Sequence, residues 1–286
     1  QLRANVENLT LTGSANLIGE GNELANLVTG NGGANKLYGY DGNDTLNGQG
    51  GDDYLLGGTG NDTMSGGSGY DRMYGGTGND SYLVVDSTDY AYENAGEGID
   101  RVSAWINHQL RANIEELELV EDAGDGRGYG NALDNLILGN SGNNLLYGRD
   151  GNDRVSGNGG NDILYGENGM DELTGGAGQD RFYGGAGADD FIFGAGDFAG
   201  MTSSTADRVH DFVSGLDQID LGAVDANGGL VGDQAFAFIG SGAFTGVAGE
   251  LRYQQISGNT YVQGDVDGDG VADFWIRLDG LHNLTG

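Results

Sequence analysis

Residues 39–83 read GYDGNDTLN, GQGGDDYLL, GGTGNDTMS, GGSGYDRMY and GGTGNDSYL, one nine-residue phrase written five times. Aspartate holds the sixth place of each phrase, at Asp44, Asp53, Asp62, Asp71 and Asp80. An apolar residue holds the eighth, at Leu46, Leu55, Met64, Met73 and Tyr82. Residues 148–192 repeat the pattern as GRDGNDRVS, GNGGNDILY, GENGMDELT, GGAGQDRFY and GGAGADDFI, with Asp153, Asp162, Asp171, Asp180 and Asp189. Two weaker phrases precede each block and carry asparagine instead, at Asn26 and Asn35 and again at Asn135 and Asn144. The blocks belong to a larger duplication, since LRANVENLTL from Leu2 matches LRANIEELEL from Leu110. Self-similarity at a short fixed period is the mark of a solenoid, in which each unit buries its apolar face against its neighbours.

The residue types explain the spacing. Glycine at the first, second and fourth places permits a tight turn at positive φ and leaves carbonyls uncovered. Aspartate at the sixth supplies the hard anionic oxygen that Ca²⁺ prefers. The eighth residue sits mid-strand and points inward, while the seventh and ninth point outward. One turn and one strand use one phrase, so a coil takes two phrases, and coils stack at about 4.8 Å. Asp44 then lies over Asp62 and Asp80 on one edge, and Asp53 over Asp71 on the other. A calcium between stacked turns receives two carboxylates. Backbone carbonyls of Gly39, Gly48, Gly57, Gly60, Gly66 and Gly69 complete its shell of six to eight oxygens, and in the second block those of Gly148, Gly157, Gly166, Gly169, Gly175 and Gly178. Aspartates two phrases apart make about three ions per block and about six in all. The asparagine phrases act as weaker sites or as caps. The plainer alternative, hydrated Asp-Gly turns without metal, leaves stacks of aspartate roughly 5 Å apart to repel one another.

The phrase is identified as the calcium-binding nonapeptide of the RTX (repeats-in-toxin) family, and both blocks carry it throughout. The resemblance implies an all-β chain with two parallel β-rolls, capping strands and a C-terminal antiparallel β region. Residues 1–85 form the first roll with its N-terminal cap, and residues 86–130 are connecting and capping strands. Residues 131–193 form the second roll, and residues 194–286 the C-terminal β region. Beyond Gly194 the segments DRVHDF, AGELRY and GDVDGDGVADF are similar to the C-terminal end of serralysin-type secreted proteases and other type I secretion cargo. That resemblance implies a type I exporter as partner and an extracellular location. The family normally runs on to a short apolar tail, so a chain stopping at Leu284-Thr285-Gly286 is expected to carry an incomplete secretion signal. Its opening, Gln1-Leu2-Arg3, looks like a cut through a larger protein. From the residues themselves, ADRVHDFVSGLDQIDLGAV and the stretch from Gln234 to Gly280 look like antiparallel hairpins. Asp265, Asp267, Asp269 and Asp273 resemble the first part of an EF-hand loop. The twelfth place is Ile276, not Glu, and the flanks read as strands, so the competing reading is an Asp-Gly hairpin turn.

Composition narrows the function classes. Glycine supplies 59 of 286 residues, where about 7% is usual, and there is neither proline nor cysteine. A secreted chain without disulfides needs another staple, and metal is the usual one. Forty-four acidic side chains against 12 basic ones give a net charge of −32. Nucleic acid and anionic membrane surfaces are therefore poor partners, and such a chain is expected to stay unfolded until a cation neutralises it. No run of residues has the length of an apolar membrane span. The histidines, His108, His210 and His282, form no HExxH-type zinc site, and no G-x-S-x-G elbow occurs, so no catalytic site is expected. One face of the rolls displays Tyr38 and Tyr74 in the first block and Tyr147, Tyr165 and Tyr183 in the second. Such a tyrosine ladder is either a platform for a polysaccharide or protein, or is covered by flanking strands that include Leu117 and Leu119.

Overall fold

A computed structural model describes residues 1–198, 202–230 and 232–286. The chain divides into two compact units, Gln1–Ile137 and Leu138–Gly286.

In the first unit the strands Asn8–Thr10, Leu27–Thr29, Thr45–Asn47, Thr63–Ser65, Ser81–Val84, Arg101–Ala104 and Glu116–Leu119 pair in parallel, each with the next. A second parallel sheet runs through Ile18–Glu20, Lys36–Asp41, Tyr54–Thr59, Arg72–Thr77 and Tyr90–Tyr92. Thr45 pairs with Thr63 and Lys36 with Tyr54, so one coil is two phrases, as the solenoid reading requires. The eighth residues line the interior: Leu46 faces Met64 and Tyr82 along one sheet, and Leu37 faces Leu55 and Met73 along the other. All are buried, while the residues on either side of each are exposed or half-buried. Each such burial stabilises by about 1.5–3 kcal/mol. Tyr90–Tyr92, Arg101–Ala104 and Glu116–Leu119 add further coils to the same sheets after longer and less regular turns. His108–Gln109 and Arg127–Tyr129 pair in parallel with each other in a third sheet.

In the second unit Arg154–Ser156, Glu172–Thr174, Asp190–Gly194 and Gln218–Ala223 form one parallel sheet. Leu145–Asp150, Ile163–Asn168, Arg181–Ala186 and Asp207–Val209 form the other. The reading of ADRVHDFVSGLDQIDLGAV as a hairpin is thereby corrected. Its two strands do not pair with each other; they continue opposite sheets of the roll in parallel, with Val209 on Phe182 and Ile219 on Phe191. Antiparallel structure begins only later. Phe274–Asp279 joins Asp207–Val209 in parallel, and Asn259–Asp265 and Glu250–Ile256 follow antiparallel. Phe182, Phe191, Phe193, Phe198 and Phe274 pack together beneath this end. Among the described residues no helix is long and apolar enough to cross a membrane.

Candidate metal centre

The aspartates stack as ladders tied by their own backbone. The Asp44 amide donates to Asp62 Oδ1 at 2.7 Å, and the Asp62 amide to Asp80 Oδ1 at 2.7 Å. On the other edge the Asn35 amide donates to Asp53 Oδ1 at 2.6 Å and the Asp53 amide to Asp71 Oδ1 at 2.7 Å. In the second unit Asn144 donates to Asp162, Asp162 to Asp180, and Asp153 to Asp171, at 2.6–2.8 Å, and Asp171 to Asp189 at 3.0 Å. One carboxylate oxygen is thus committed in each step. The other, Oδ2, is buried without a hydrogen-bond partner at Asp44, Asp53, Asp62, Asp71, Asp80, Asp180 and Asp189.

Those oxygens gather on the bare faces of the first-position glycines. A methyl on Gly57 would overlap Asp62 Oδ2 and lie 2.7 Å from the Gly75 carbonyl oxygen. Gly39 repeats this with Asp44 and the Gly57 carbonyl, Gly48 with Asp53 and the Gly66 carbonyl, and Gly166 with Asp171 and the Gly184 carbonyl. The first glycine is therefore needed for close approach; it does not have positive φ, which corrects that part of the sequence reading. Positive φ falls at the second and fourth places, as at Gly58 and Gly60 with φ of 123° and 119°. Tyr40, Gln49, Arg149, Asn158 and Glu167 adopt it at the second place despite their side chains. The carbonyls of Gly60 and Gly169 face the bare sides of Gly78 and Gly187 in the next coil, and that of Gly69 accepts from Thr88 Oγ1 at 2.6 Å.

Electrostatics make this arrangement untenable as an array of bare anions. Burial pushes Asp53, Asp62 and Asp180 up to about 7 and Asp189 up to about 6, against the opposing pull of the amide each accepts. A buried ionised oxygen without a partner is strongly disfavoured and is relieved by a proton or a cation. The donors are all hard oxygens, carboxylate and carbonyl, which suits Ca²⁺ and excludes sites that depend on thiolate.

The ladders are longer than the repeat suggests. The Asp80 amide donates to Asp100 Oδ1, the Asp180 amide to Asp207 Oδ1 and the Asp189 amide to Asp217 Oδ1, at 2.8, 2.8 and 3.2 Å. Asp89 joins the ladder next to Asp71; burial, then the charge of Asp71, raises it to about 7. Burial likewise lifts Asp207 to about 8. Asp89 carried a legible signal, because it stands at the repeat spacing from Asp71. The others follow turns of irregular length and carried none.

At the C-terminal end Asp265 is buried and accepts from Gly268 N at 2.7 Å and Gly270 N at 2.9 Å. Asp273 accepts from Val266 N at 2.6 Å. The loop joins two antiparallel strands, and in it Asp265, Asp267 and Asp269 each bring one oxygen within 4.8 Å of the others.

The tyrosines form ladders as the register demands. Tyr147 stacks on Tyr165 at 4.6 Å, Tyr165 on Tyr183 at 4.5 Å, and Tyr183 on His210 at 4.3 Å, all within 11° of parallel. In the first unit Tyr54 is the link between Tyr38, at 6.3 Å, and Tyr74, at 5.2 Å. Tyr74 then stacks on Tyr92 at 4.7 Å, and Arg111 covers Tyr92. Leu117 and Leu119 do not shield them, because both lie in the interior of the roll. The histidines have separate roles: His210 contacts Asp279 at 3.1 Å, His282 contacts Ser214 Oγ at 3.0 Å, and burial lowers His108 to about 4.

Residues 29–286 match the family described as peptidase M10 serralysin C terminal. Among curated proteins the chain is similar to the endo-1,3-1,4-beta-glycanase ExsH of Rhizobium meliloti (strain 1021). The two are 44% identical over 57 residues, which is 20% of this chain and 12% of that protein. Among solved structures it is similar to the AlgE6R3 subunit from the Azotobacter vinelandii mannuronan C5-epimerase. That match has 25% identity, a TM-score of 0.31, and coverage of 54% of this chain and 70% of that one.

Proposed function

Because the chain belongs to the serralysin C-terminal family of the M10 peptidases, an extracellular calcium-binding β-roll family, we propose that its aspartate ladders are calcium ligands that make folding conditional on calcium. The acidic chain stays extended where calcium is scarce, passes a type I exporter, and folds outside the cell. It is a non-catalytic module that stabilises whatever it is joined to. The observation that carries this reading is the buried, partnerless Oδ2 of the successive aspartates Asp44, Asp53, Asp62, Asp71 and Asp80, each beside a glycine that leaves room for it. The first-position glycine carbonyls complete the shells, and Asp265, Asp267 and Asp269 of the C-terminal loop add a separate site, with Asp273 holding the loop through the amides of Val266 and Asp267. Native mass spectrometry of the chain dialysed against calcium is expected to show about six bound ions, or a few more. One ion or none would sink the proposal.

A second reading is favoured by the near-parallel Tyr147, Tyr165, Tyr183 and His210 stack. Flat aromatic rows suit the apolar faces of sugar rings, and the charge of −32 points to a neutral polysaccharide over an acidic one. The glycanase named above makes mixed-linkage β-glucan the natural probe. In affinity electrophoresis the chain is expected to be retarded by this glucan, and Tyr165→Ser to restore most of its mobility. Unretarded wild-type chain would remove this reading and leave the calcium proposal intact.

A further inference from the structure

The last coil of the first block departs from its pattern and thereby gains a charge. Eighteen residues past Gly75, where the next first-position glycine is due, stands Glu93. Tyr82 occupies the eighth place, where the other phrases of the block have Leu or Met. Its ring is fully buried, and its hydroxyl accepts from the Gly75 amide at 2.7 Å and donates to Glu93 Oε1. Asp80, Glu93 and Asp100 each place one carboxylate oxygen within 4.8 Å of the others. Asp80 and Asp100 are both 1% exposed, and Asp80 Oδ2 has no hydrogen-bond partner. That oxygen is aimed at the bare face of Gly75, where Glu93 Oε1 and the Tyr82 hydroxyl also converge. Among the described residues no basic side chain pairs with the three carboxylates; adjacent Arg101 is turned to Glu116 and Glu118.

The second unit supplies the comparison. Gly184 corresponds to Gly75 in the duplication, and the nearest atoms to its bare face all belong to Asp189. Asp211 is held nearby by the Gly184 and Gly185 amides, both at 3.0 Å. Among the described residues no three carboxylates converge there as they do around Asp80.

We propose that Asp80, Glu93 and Asp100 form a three-carboxylate site for a hard divalent cation, calcium above all, that closes the first block. It differs from the sites between repeats because Glu93 contributes a side-chain oxygen where they have only a glycine backbone. It rests on the reading of the ladders as calcium ligands. Calcium affinity rises with the number of charged ligands, so this ion is held more tightly than its neighbours and leaves last as free calcium falls. Tyr82 is a positioning residue, holding Glu93 toward Asp80.

The test follows bound ions per chain by native mass spectrometry while chelator buffers lower free calcium. Wild type, Glu93→Gln and the exposed control Glu7→Gln are compared. Gln keeps the size of Glu93 and an oxygen for the Tyr82 hydroxyl, so a purely structural Glu93 would leave the ion count unmoved. Wild type is expected to keep one ion after the rest have left. In Glu93→Gln that ion should leave at about tenfold higher free calcium or be missing at saturation, with Glu7→Gln like wild type. Identical release curves for wild type and Glu93→Gln would overturn the site while leaving the ladders standing. Absence of bound calcium in wild type would overturn both. Should Glu93→Gln not fold, the wild-type curve decides, because release in one uniform step without a retained ion overturns the proposal.

Discussion

Stripped of calcium at neutral pH, the chain is expected to give the far-ultraviolet circular dichroism of a largely unfolded polypeptide, and to regain a β spectrum cooperatively as calcium is added. The expectation rests on what the fold lacks. Each coil buries only a narrow row of inward residues, such as Leu46 and Met64 from one sheet and Leu37 and Leu55 from the other. Against that row stand aspartates stacked one per coil on each edge and a net charge of −32. Unit charges at strand spacing repel by about 1 kcal/mol in water and several times more where solvent is excluded. Calcium reverses the sign of that interaction, and because every coil contacts only its neighbours, loading one site favours loading the next. Magnesium at the same concentration should leave the spectrum of the calcium-free chain unchanged, since it keeps its waters and demands a tighter octahedron than these shared oxygens supply. A full β spectrum in excess chelator would mean that the rolls stand without metal, and the mechanism would fail.

Acid should substitute in part for the metal. In excess chelator, lowering the pH from 8 to about 4 is expected to restore much of the β spectrum to a chain that is unfolded at the higher pH. The relevant carboxyls are raised by burial first: Asp53, Asp62 and Asp180 to about 7, Asp189 and Asp100 to about 6, and Asp207 and Glu93 to about 8. Their ordinary range is near 4. A carboxyl whose folded-state pKa exceeds its unfolded value binds its proton more tightly in the folded state. Its stabilising contribution is complete below the unfolded value and is lost as the pH rises through the folded one. The window therefore runs from about 4 to about 8, and within it proton and calcium compete for the same oxygens. Calcium binding near pH 6 should accordingly release protons, measurable as a buffer-dependent heat. A chelated chain as unfolded at pH 4 as at pH 8 would show that these carboxyls do not hold the calcium-free fold back.

Much of this was legible before any coordinates. The period of the phrase dictated the two-phrase coil, and the alternation around Leu46, Met64, Val155 and Leu173 dictated which side chains face inward. The ladder aspartates follow from the same count. What escaped has physical reasons. The strands at Asp207–Val209 and Gln218–Ala223 show the alternation of any half-buried strand, and alternation does not encode whether a strand's partner is the next one or one lying a coil away. Asp100, Asp207 and Asp217 stand 20, 27 and 28 residues after the ladder members they join, so a fixed spacing passes over them. Glu93 was hidden differently, by occupying a place the repeat reserves for glycine.

The backbone bonds that tie the ladders all run one way. In every step the amide belongs to the earlier aspartate and the accepting Oδ1 to the later one, from Asp44 to Asp62, Asp80 and Asp100. A coil is therefore finished by chain that has not yet been laid down when the coil itself appears. The roll has polarity, like a filament with a growing end. Its N-terminal steps are begun by neutral Asn26 and Asn35, which donate into the first aspartates, Asp44 and Asp53, and make few demands. Its C-terminal edge always offers one more amide to the next carboxylate that arrives. Loss of a late segment undoes the coil before it, whereas loss of an early one removes only itself.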